Sequence, residues 1–229
     1  MKQTNTKYRH EYKISLNQAD YITLRQRLRA VLPHDANVSG NGEYHIRSIY
    51  FDTPDDKALR EKLEGVNRRE KYRIRFYNLN TTYIRIEKKS KISGLGYKLS
   101  AKLTEEQVLK IVKGDIEWMR FSPDLFLQEF YAKMRFQLLK PKTIVDYMRE
   151  PFMWGPGNVR ITLDRDIRTG VCNEDLFTEA AVTIPIVDDI TLLEVKYDEF
   201  LPDFIRDLVQ LQSRKTDAFS KYAACRAYG

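Results

Sequence analysis

The chain has 229 residues, of which 42% are hydrophobic and 31% charged, with a formal net charge of +7. That apolar content supplies a packed core and excludes an intrinsically disordered chain, and the length fits one large domain or two small ones, read here as a single domain over residues 1–229. A pI near 9.2 favours anionic partners and says nothing about fold.

Taken in order, Tyr8 to Ile14 alternates in polarity and reads as a first strand. Arg9, Glu11 and Lys13 fall on one face, with Tyr8, His10, Tyr12 and Ile14 on the other, because successive strand side chains point oppositely. Asn17 caps a helix carrying Tyr21, Leu24 and Leu28 at helical spacing up to Pro33. His34 to Asn41 is loop, and Tyr44 to Asp52 is a second strand ended by Thr53-Pro54. A short helix from Asp55 or Asp56 to about Leu63 stops at Gly65, with Asp52 and Asp55 placed to cap or orient it. The stretch Arg68 to Tyr77 follows, then the turn Asn78-Leu79-Asn80-Thr81 and a partner strand through Tyr83 to Lys89. Ser93-Gly94-Leu95-Gly96 turns the chain into a strand from Tyr97 to Lys102. Thr104 and Gln107 form a capping-box pattern for a helix ending at Gly114. Trp118 to Lys140 is helical in parts, with Pro123 in an early turn. Three further strands are predicted over 143–149, 159–165 and 191–197, with loops over 151–158 and 170–178. Pro202 opens an amphipathic helix, and a last helix holds Phe219, Tyr222 and Ala223.

The cations concentrate at one parity. Lys71, Arg73 and Arg75 oppose Tyr72, Ile74 and Phe76, while Arg85, Glu87 and Lys89 oppose Ile84 and Ile86. Arg9, Lys13, Arg160 and Lys196 obey the same alternation, with Glu11, Glu87 and Glu194 among them. Like charges side by side in a sheet are unfavourable. Such rows persist where water screens them or where an anion faces them. About eight strands with interspersed helices indicate an α+β fold with a mainly antiparallel sheet. Two arrangements remain open: a solvated charged face over an apolar core, or helices outside a β-barrel tunnel whose lumen is polar and basic.

Several residue groups carry no chemistry on this reading. Cys172 and Cys225 have neither metal-ligand spacing nor a disulfide framework. His10 has the apolar parity, and His34 and His45 lack a partner at zinc spacing. Ser93-Gly94-Leu95-Gly96 lacks the Lys-Ser/Thr of a phosphate-binding loop. Met1 to Lys7 has no apolar run and no stretch approaches the roughly 20 apolar residues that span a bilayer, so a cytoplasmic location is expected.

Seven short motifs stand in order: Arg9-x-Glu11-x-Lys13, Tyr50-Phe51-Asp52, Arg73-Ile74-Arg75, Glu87-x-Lys89, Tyr147-x-Arg149, Glu194-x-Lys196 and Phe219-Ser220-Lys221-Tyr222. In that order and spacing, from Tyr8 to Tyr222, the chain resembles the VTC domain, the polyphosphate polymerase module of the CYTH or triphosphate tunnel superfamily. The resemblance implies a tunnel of antiparallel strands in which the γ-phosphate of ATP is transferred to a polyphosphate chain with a divalent metal, Mn2+ or Mg2+. It implies that Lys13, Arg73, Arg75, Lys89, Tyr147, Arg149 and Lys221 grip phosphates. Lys62 falls at a tunnel arginine position, and Lys98 at a tunnel lysine position for which Lys102 competes. Arg160 falls at another tunnel arginine position. Glu194 takes the place of the metal-binding glutamate, followed as metal ligands by Glu11 and Glu87, which equally suit internal ion pairs. Arg9, Lys71 and Lys196 complete the expected phosphate-binding set.

Two positions depart from the family pattern. Ala218 replaces the first lysine of the closing Lys-Phe-Ser-Lys, with Arg214 or Lys215 about one turn earlier, and Lys62 lacks the bidentate fork of arginine. The superfamily's hydrolases show a Glu-x-Glu-x-Lys first strand, where this chain has Arg9-x-Glu11-x-Lys13. The alternatives are therefore a tunnel-type triphosphatase acting on inorganic or nucleoside triphosphate, or a module that binds polyphosphate without turnover. Nucleic acid is not the expected partner, since a closed lumen excludes bases. Eukaryotic members couple synthesis to translocation through membrane subunits, so any such coupling here needs a separate membrane partner.

Overall fold

The computed structural model describes residues 9–38, 40–92, 95–172, 174–186, 190–211, 216 and 218–227. Tyr8, the Ser93-Gly94 pair, Arg214 and Lys215 lie outside them. The elements run β1 (His10–Leu16), α1 (Gln18–Val31), β2 (Tyr44–Asp52), α2 (Lys57–Leu63), β3 (Arg68–Tyr77), β4 (Asn80–Ile92), β5 (Leu95–Leu103), α3 (Glu105–Lys113), α4 (Leu125–Phe136), β6 (Lys140–Trp154), β7 (Val159–Gly170), β8 (Thr183–Pro185), β9 (Thr191–Tyr197), α5 (Asp203–Val209) and α6 (Lys221–Ala227). The strands form one sheet in the order β1-β9-β7-β6-β2-β3-β4-β5, with β8 on β7. This is the expected α+β class with antiparallel pairing.

Local chemistry explains most boundaries. The Asn17 side chain accepts from Asp20 N at 2.8 Å, and Thr104 and Gln107 exchange both capping bonds. Gly114 closes α3 at φ 85°, in the left-handed region where glycine carries no Cβ penalty. Asn78 and Leu79, at φ 50° and 52°, make the tight turn between β3 and β4, which matches the twist of a hairpin. β6 departs from expectation by continuing through Pro151. There His34 bridges Phe152 and Met153 N donates to Pro33 O at 3.0 Å, so pairing resumes beyond the proline. The short β8 carries too few residues for an alternation signal.

The chain divides into two compact units. The first comprises Met1–His45, Tyr147–Ile167 and Val187–Ser220, and the second Ile46–Asp146, Arg168–Ile186 and Lys221–Gly229. In the first, Ile14 and Leu16 of β1, Ile161 and Leu163 of β7, and Leu193 and Val195 of β9 pack against Tyr21, Leu24 and Leu28 of α1 and Ile205 and Val209 of α5. In the second, Tyr72, Ile74 and Phe76 of β3 with Ile84 and Ile86 of β4 meet Val108 and Ile111 of α3 and Phe126, Phe130 and Met134 of α4. Each fully buried side chain of this size contributes roughly 1.5–3 kcal/mol over its exposed state. Helices thus cover the apolar rows in both units, and the charged rows take the opposite faces.

Ion pairs intrude beneath the helices. Lys88 shares the parity of Ile84 and Ile86 but is buried with Glu70 and Glu129, where Tyr72 Oη also donates to Glu129 at 2.7 Å. Arg47 is clamped by Asp146 and by the carbonyls of Leu176 and Thr178. In the first unit Glu150 accepts from Arg25 and Arg29 of α1, each at 2.6 Å. These buried charges keep partners, as desolvation demands.

Candidate functional site

The charged face of the second unit is built by register. Across β2 to β5, Ser48 stands beside Arg75, Arg85 and Lys102, and the next row is Tyr50, Arg73, Glu87 and Ser100. The third row is Lys71, Lys89 and Lys98. Across β3 to β5, two rows of cations alone therefore flank the row holding Glu87. Arg73 Nε donates to Glu87 Oε2 at 2.7 Å and its Nη1 to Tyr50 Oη at 3.1 Å, while Lys98 pairs with the other Glu87 oxygen. Arg75 Nε donates to Ser48 Oγ at 3.0 Å. Arg73, Arg75 and Glu87 are buried, at 7%, 8% and 3% exposure, which a solvated sheet face would not give.

The potential on this face is visible in its titrating groups. Burial opposes ionisation of Glu87, yet the charges of Arg73, Arg75 and Lys98 hold it well below the usual carboxylate range. Burial likewise raises the Tyr50 phenol, but Arg73, Arg75 and Lys71 overcome that and pull it down to about 8.

Helix α6 docks beside this face. Tyr222 Oη donates to Asp52 Oδ2 at 2.6 Å, its ring stacks on Tyr50 at 5.0 Å, and Lys71 Nζ lies 5.2 Å from the ring centre. Asp52 also accepts from Thr53 N, Ala58 N and Leu59 N at 2.8, 2.8 and 3.1 Å, bearing out its role at the start of α2. Arg226 and Lys142 both reach Asp56, each at 3.1 Å. Lys221 opens the helix so fastened, and Lys62 lies in the last turn of α2.

The first unit's charged face alternates sign instead. Its rows are Glu11, Lys196 and Arg160, then Lys13, Glu194 and Thr162, then Ser15, Leu192 and Asp164. Lys13 lies 3.0 Å from Glu11 and 4.0 Å from Glu194, and Lys196 pairs with Glu194 and lies 3.5 Å from Glu11. Arg149 grips Asp164 with both forks, Nε at 2.6 Å and Nη2 at 2.7 Å, and packs 5.3 Å from the Tyr147 ring centre. Burial opposes the Arg149 charge, and Asp164 and Tyr147 hold its pKa well above the ordinary value. Arg160 reaches Tyr44 Oη at 2.8 Å and Asp35 at 3.1 Å. Arg9 turns to Asp198 at 2.9 Å.

The structure thus places Lys71, Arg73, Arg75, Glu87, Lys89 and Lys98 on one face of the second unit. It places Glu11, Lys13, Arg160, Glu194 and Lys196 in adjoining rows of the first, with the Tyr147–Arg149 pair at Asp164. Sequence reasoning did not single out Tyr50, Thr162, Asp164 or Tyr222 as site residues. Parity alone could have flagged Thr162 and Asp164, which share a face with Arg160.

A divalent metal finds limited ligands. Among the described residues no group of three or more His, Cys, Asp or Glu side chains could hold an ion. Glu11 and Glu194, however, converge on the same two lysines. A Mg2+-like ion that keeps waters needs only one or two carboxylates; Glu11 and Glu194 supply two, with each of their oxygens now facing Lys13 or Lys196. Glu87 has both oxygens engaged by Arg73 and Lys98.

An antiparallel α+β fold whose helices cover the apolar rows, with arginines and lysines aligned on the other faces, is of the triphosphate tunnel type. The VTC domain model matches residues 8–228, and the chain belongs to that family. Among solved structures, the PH1819 protein from Pyrococcus horikoshii is similar at 14% identity and TM-score 0.50, over 96% of this chain and all (100%) of that one. A protein from Bacillus halodurans described as a "putative adenylate cyclase" is similar at 12% identity and TM-score 0.50, over 90% of this chain and 87% of that one. At these identities the likeness concerns the fold. Among curated proteins none matches. No helix among the described residues is long and apolar enough to cross a membrane.

Proposed function

We propose that this protein is a polyphosphate polymerase-like phosphotransferase that moves the γ-phosphate of ATP onto a polyphosphate chain, with residues 1–229 acting as one functional domain. The observation that carries the reading is the pair of cation rows, Arg75/Arg85/Lys102 and Lys71/Lys89/Lys98, on either side of the buried Arg73–Glu87 pair. Rows of like charge side by side raise the energy of the free protein, and a polyanion laid against them relieves it. Membership of the VTC domain family supports the same substrate class.

Phosphoryl transfer depends on positioning and charge neutralisation rather than on a protein nucleophile. In the second unit Arg75 supplies a planar fork for phosphate oxygens and Lys89 and Lys221 supply mobile point charges, while Arg73 keeps only the N–H bonds that Glu87 and Tyr50 leave; in the first unit Lys13 supplies a mobile charge and Arg149 only the N–H bonds that Asp164 leaves. Glu87 and Asp164 fix the planes of Arg73 and Arg149, so the forks are oriented before a phosphate arrives. The Tyr50 and Tyr147 rings lie against those two guanidinium groups. Glu194, with Glu11, would hold a divalent cation, which would supply charge neutralisation for the transferring phosphoryl group.

The test is purified protein with ATP and Mn2+, with products resolved by chain length on a gel. Long phosphate chains are expected. Orthophosphate alone would replace this reading with triphosphate hydrolysis, and tight polyphosphate binding without turnover would leave a binding module. Glu194→Gln is expected to abolish the metal dependence of turnover.

A further inference from the structure

Thr162 lies in the middle of β7, 3% exposed, and its hydroxyl has no hydrogen-bond partner among the described residues. Two residues earlier on the same face of the strand, Arg160 Nε is also buried without a partner among them. Buried polar groups are almost always satisfied, and leaving one unmade costs about 1–3 kcal/mol. Two donors in this condition, side by side on one strand face, form a pattern that a single orphan does not.

Their surroundings narrow the ligand. Arg160 Nη2 is anchored by Tyr44 Oη at 2.8 Å and Asp35 at 3.1 Å, which holds the guanidinium in place while its Nε–H finds no partner among the described residues. In register, Arg160 stands beside Lys196 and Thr162 beside Glu194, with Lys13 next in that row. An arginine Nε–H only donates, and the threonine hydroxyl can donate alongside it. Two adjacent donors beside Lys13 and Lys196 suit an oxygen-rich anion, with the lysines offsetting the Glu194 carboxylate in the same row. Valine would fill the same volume as Thr162 without the orphan, so packing alone gives no reason for a hydroxyl.

We propose that the Thr162 hydroxyl and Arg160 Nε form one phosphate subsite, in which Thr162 donates to a phosphate oxygen of the triphosphate or polyphosphate chain. Thr162 is then a substrate-binding residue, and Tyr44 and Asp35 are positioning residues that act through Arg160. This rests on the phosphate-binding reading given above and adds a residue that sorts ligands by hydrogen bonding rather than by charge, since Thr162 contributes no net charge.

The test uses inorganic triphosphate as the probe, by calorimetry at fixed salt, on wild type, Thr162→Val and Thr162→Ser. Thr162→Val is expected to weaken triphosphate binding by about tenfold while leaving the melting temperature of the ligand-free protein unchanged or higher. Thr162→Ser should bind as wild type does. The salt dependence of binding should be the same in all three, because no charge has changed. Wild-type affinity in Thr162→Val overturns the subsite, and so does an equal loss in both variants with a lowered melting temperature, which would mark a packing role. If the wild type makes polyphosphate and Thr162→Val does so equally well, the subsite fails and the polymerase reading stands. If no protein turns over ATP but Thr162→Val still loses triphosphate, the subsite stands and the polymerase reading fails. A wild type that binds no triphosphate overturns both.

Discussion

The two charged faces are made of the same residue types on the same kind of strand, yet they settle their charge differently. Three successive rows of the first unit carry Lys13, Arg160 and Lys196 against Glu11, Asp164 and Glu194, a balanced set. Three successive rows of the second unit carry Lys71, Arg73, Arg75, Arg85, Lys89, Lys98 and Lys102 against Glu87, with Asp52 at the end of β2 on the same parity. A face that neutralises itself is stable without a ligand and holds its groups in fixed geometry. A face left strongly positive draws in polyanions and gains stability when one binds.

The comparison breaks most severely at Asp164, which is fully buried and bound by both forks of Arg149. Asp164→Asn leaves an unpaired buried guanidinium and is expected to cost about 3–5 kcal/mol, read from the denaturant midpoint. Triphosphate should restore little of it. On the other face, Glu87→Gln deprives Arg73 and Lys98 of their shared counter-charge. The expected loss is of order 2–4 kcal/mol, and saturating triphosphate should recover most of it. Equal recovery in the two variants would erase the distinction between the faces.

A smaller effect sharpens it. Removing one row cation, Lys71→Ala or Lys89→Ala, should weaken triphosphate binding by roughly tenfold at low salt, and by less as salt rises. Smallest is the pH signature of Tyr50. Arg73, Arg75 and Lys71 pull its phenol down to about 8 in the folded protein from the ordinary 10.0, so between those values the unfolded chain binds the extra proton. Stability therefore gains as pH rises from about 8 to 10 and loses that gain as pH falls back through the folded pKa. Near-ultraviolet phenolate absorbance should show the step, Tyr50→Phe should remove it, and bound triphosphate should move it to higher pH by neutralising Arg73, Arg75 and Lys71.

Much of this was legible in the residues themselves. Strand parity separated Arg73 and Arg75 from Tyr72, Ile74 and Phe76, and the structure keeps that division. The hairpin turn, the Asn17 and Thr104 caps and the Gly114 stop needed only local chemistry. Parity could not tell a wet face from a dry one, because that depends on where α1, α3, α4 and α5 dock. Nor could it foresee Lys88, which breaks the apolar row and survives only because Glu70 and Glu129 come from elsewhere in the chain. The Arg149–Asp164 fork and the orphaned Thr162 hydroxyl share that origin: each is a property of register and neighbours, not of spacing. The expected strand end before Pro151 failed for the same reason, since Pro33, His34 and Phe152 supply the pairing that the local sequence does not announce.

One hydrogen bond has a consequence for how the protein comes into being. The Tyr222–Asp52 bond joins positions 170 residues apart, so during synthesis it cannot form until nearly the whole chain has been made. Until residue 222 has left the ribosome, Tyr50 and Lys71 lack the ring they rest on and Asp52 holds the start of α2 without its phenol. A nascent chain therefore carries the cations of β3 and β4 before it carries α6, so that charged face exists for a time without the Tyr222 ring beside it.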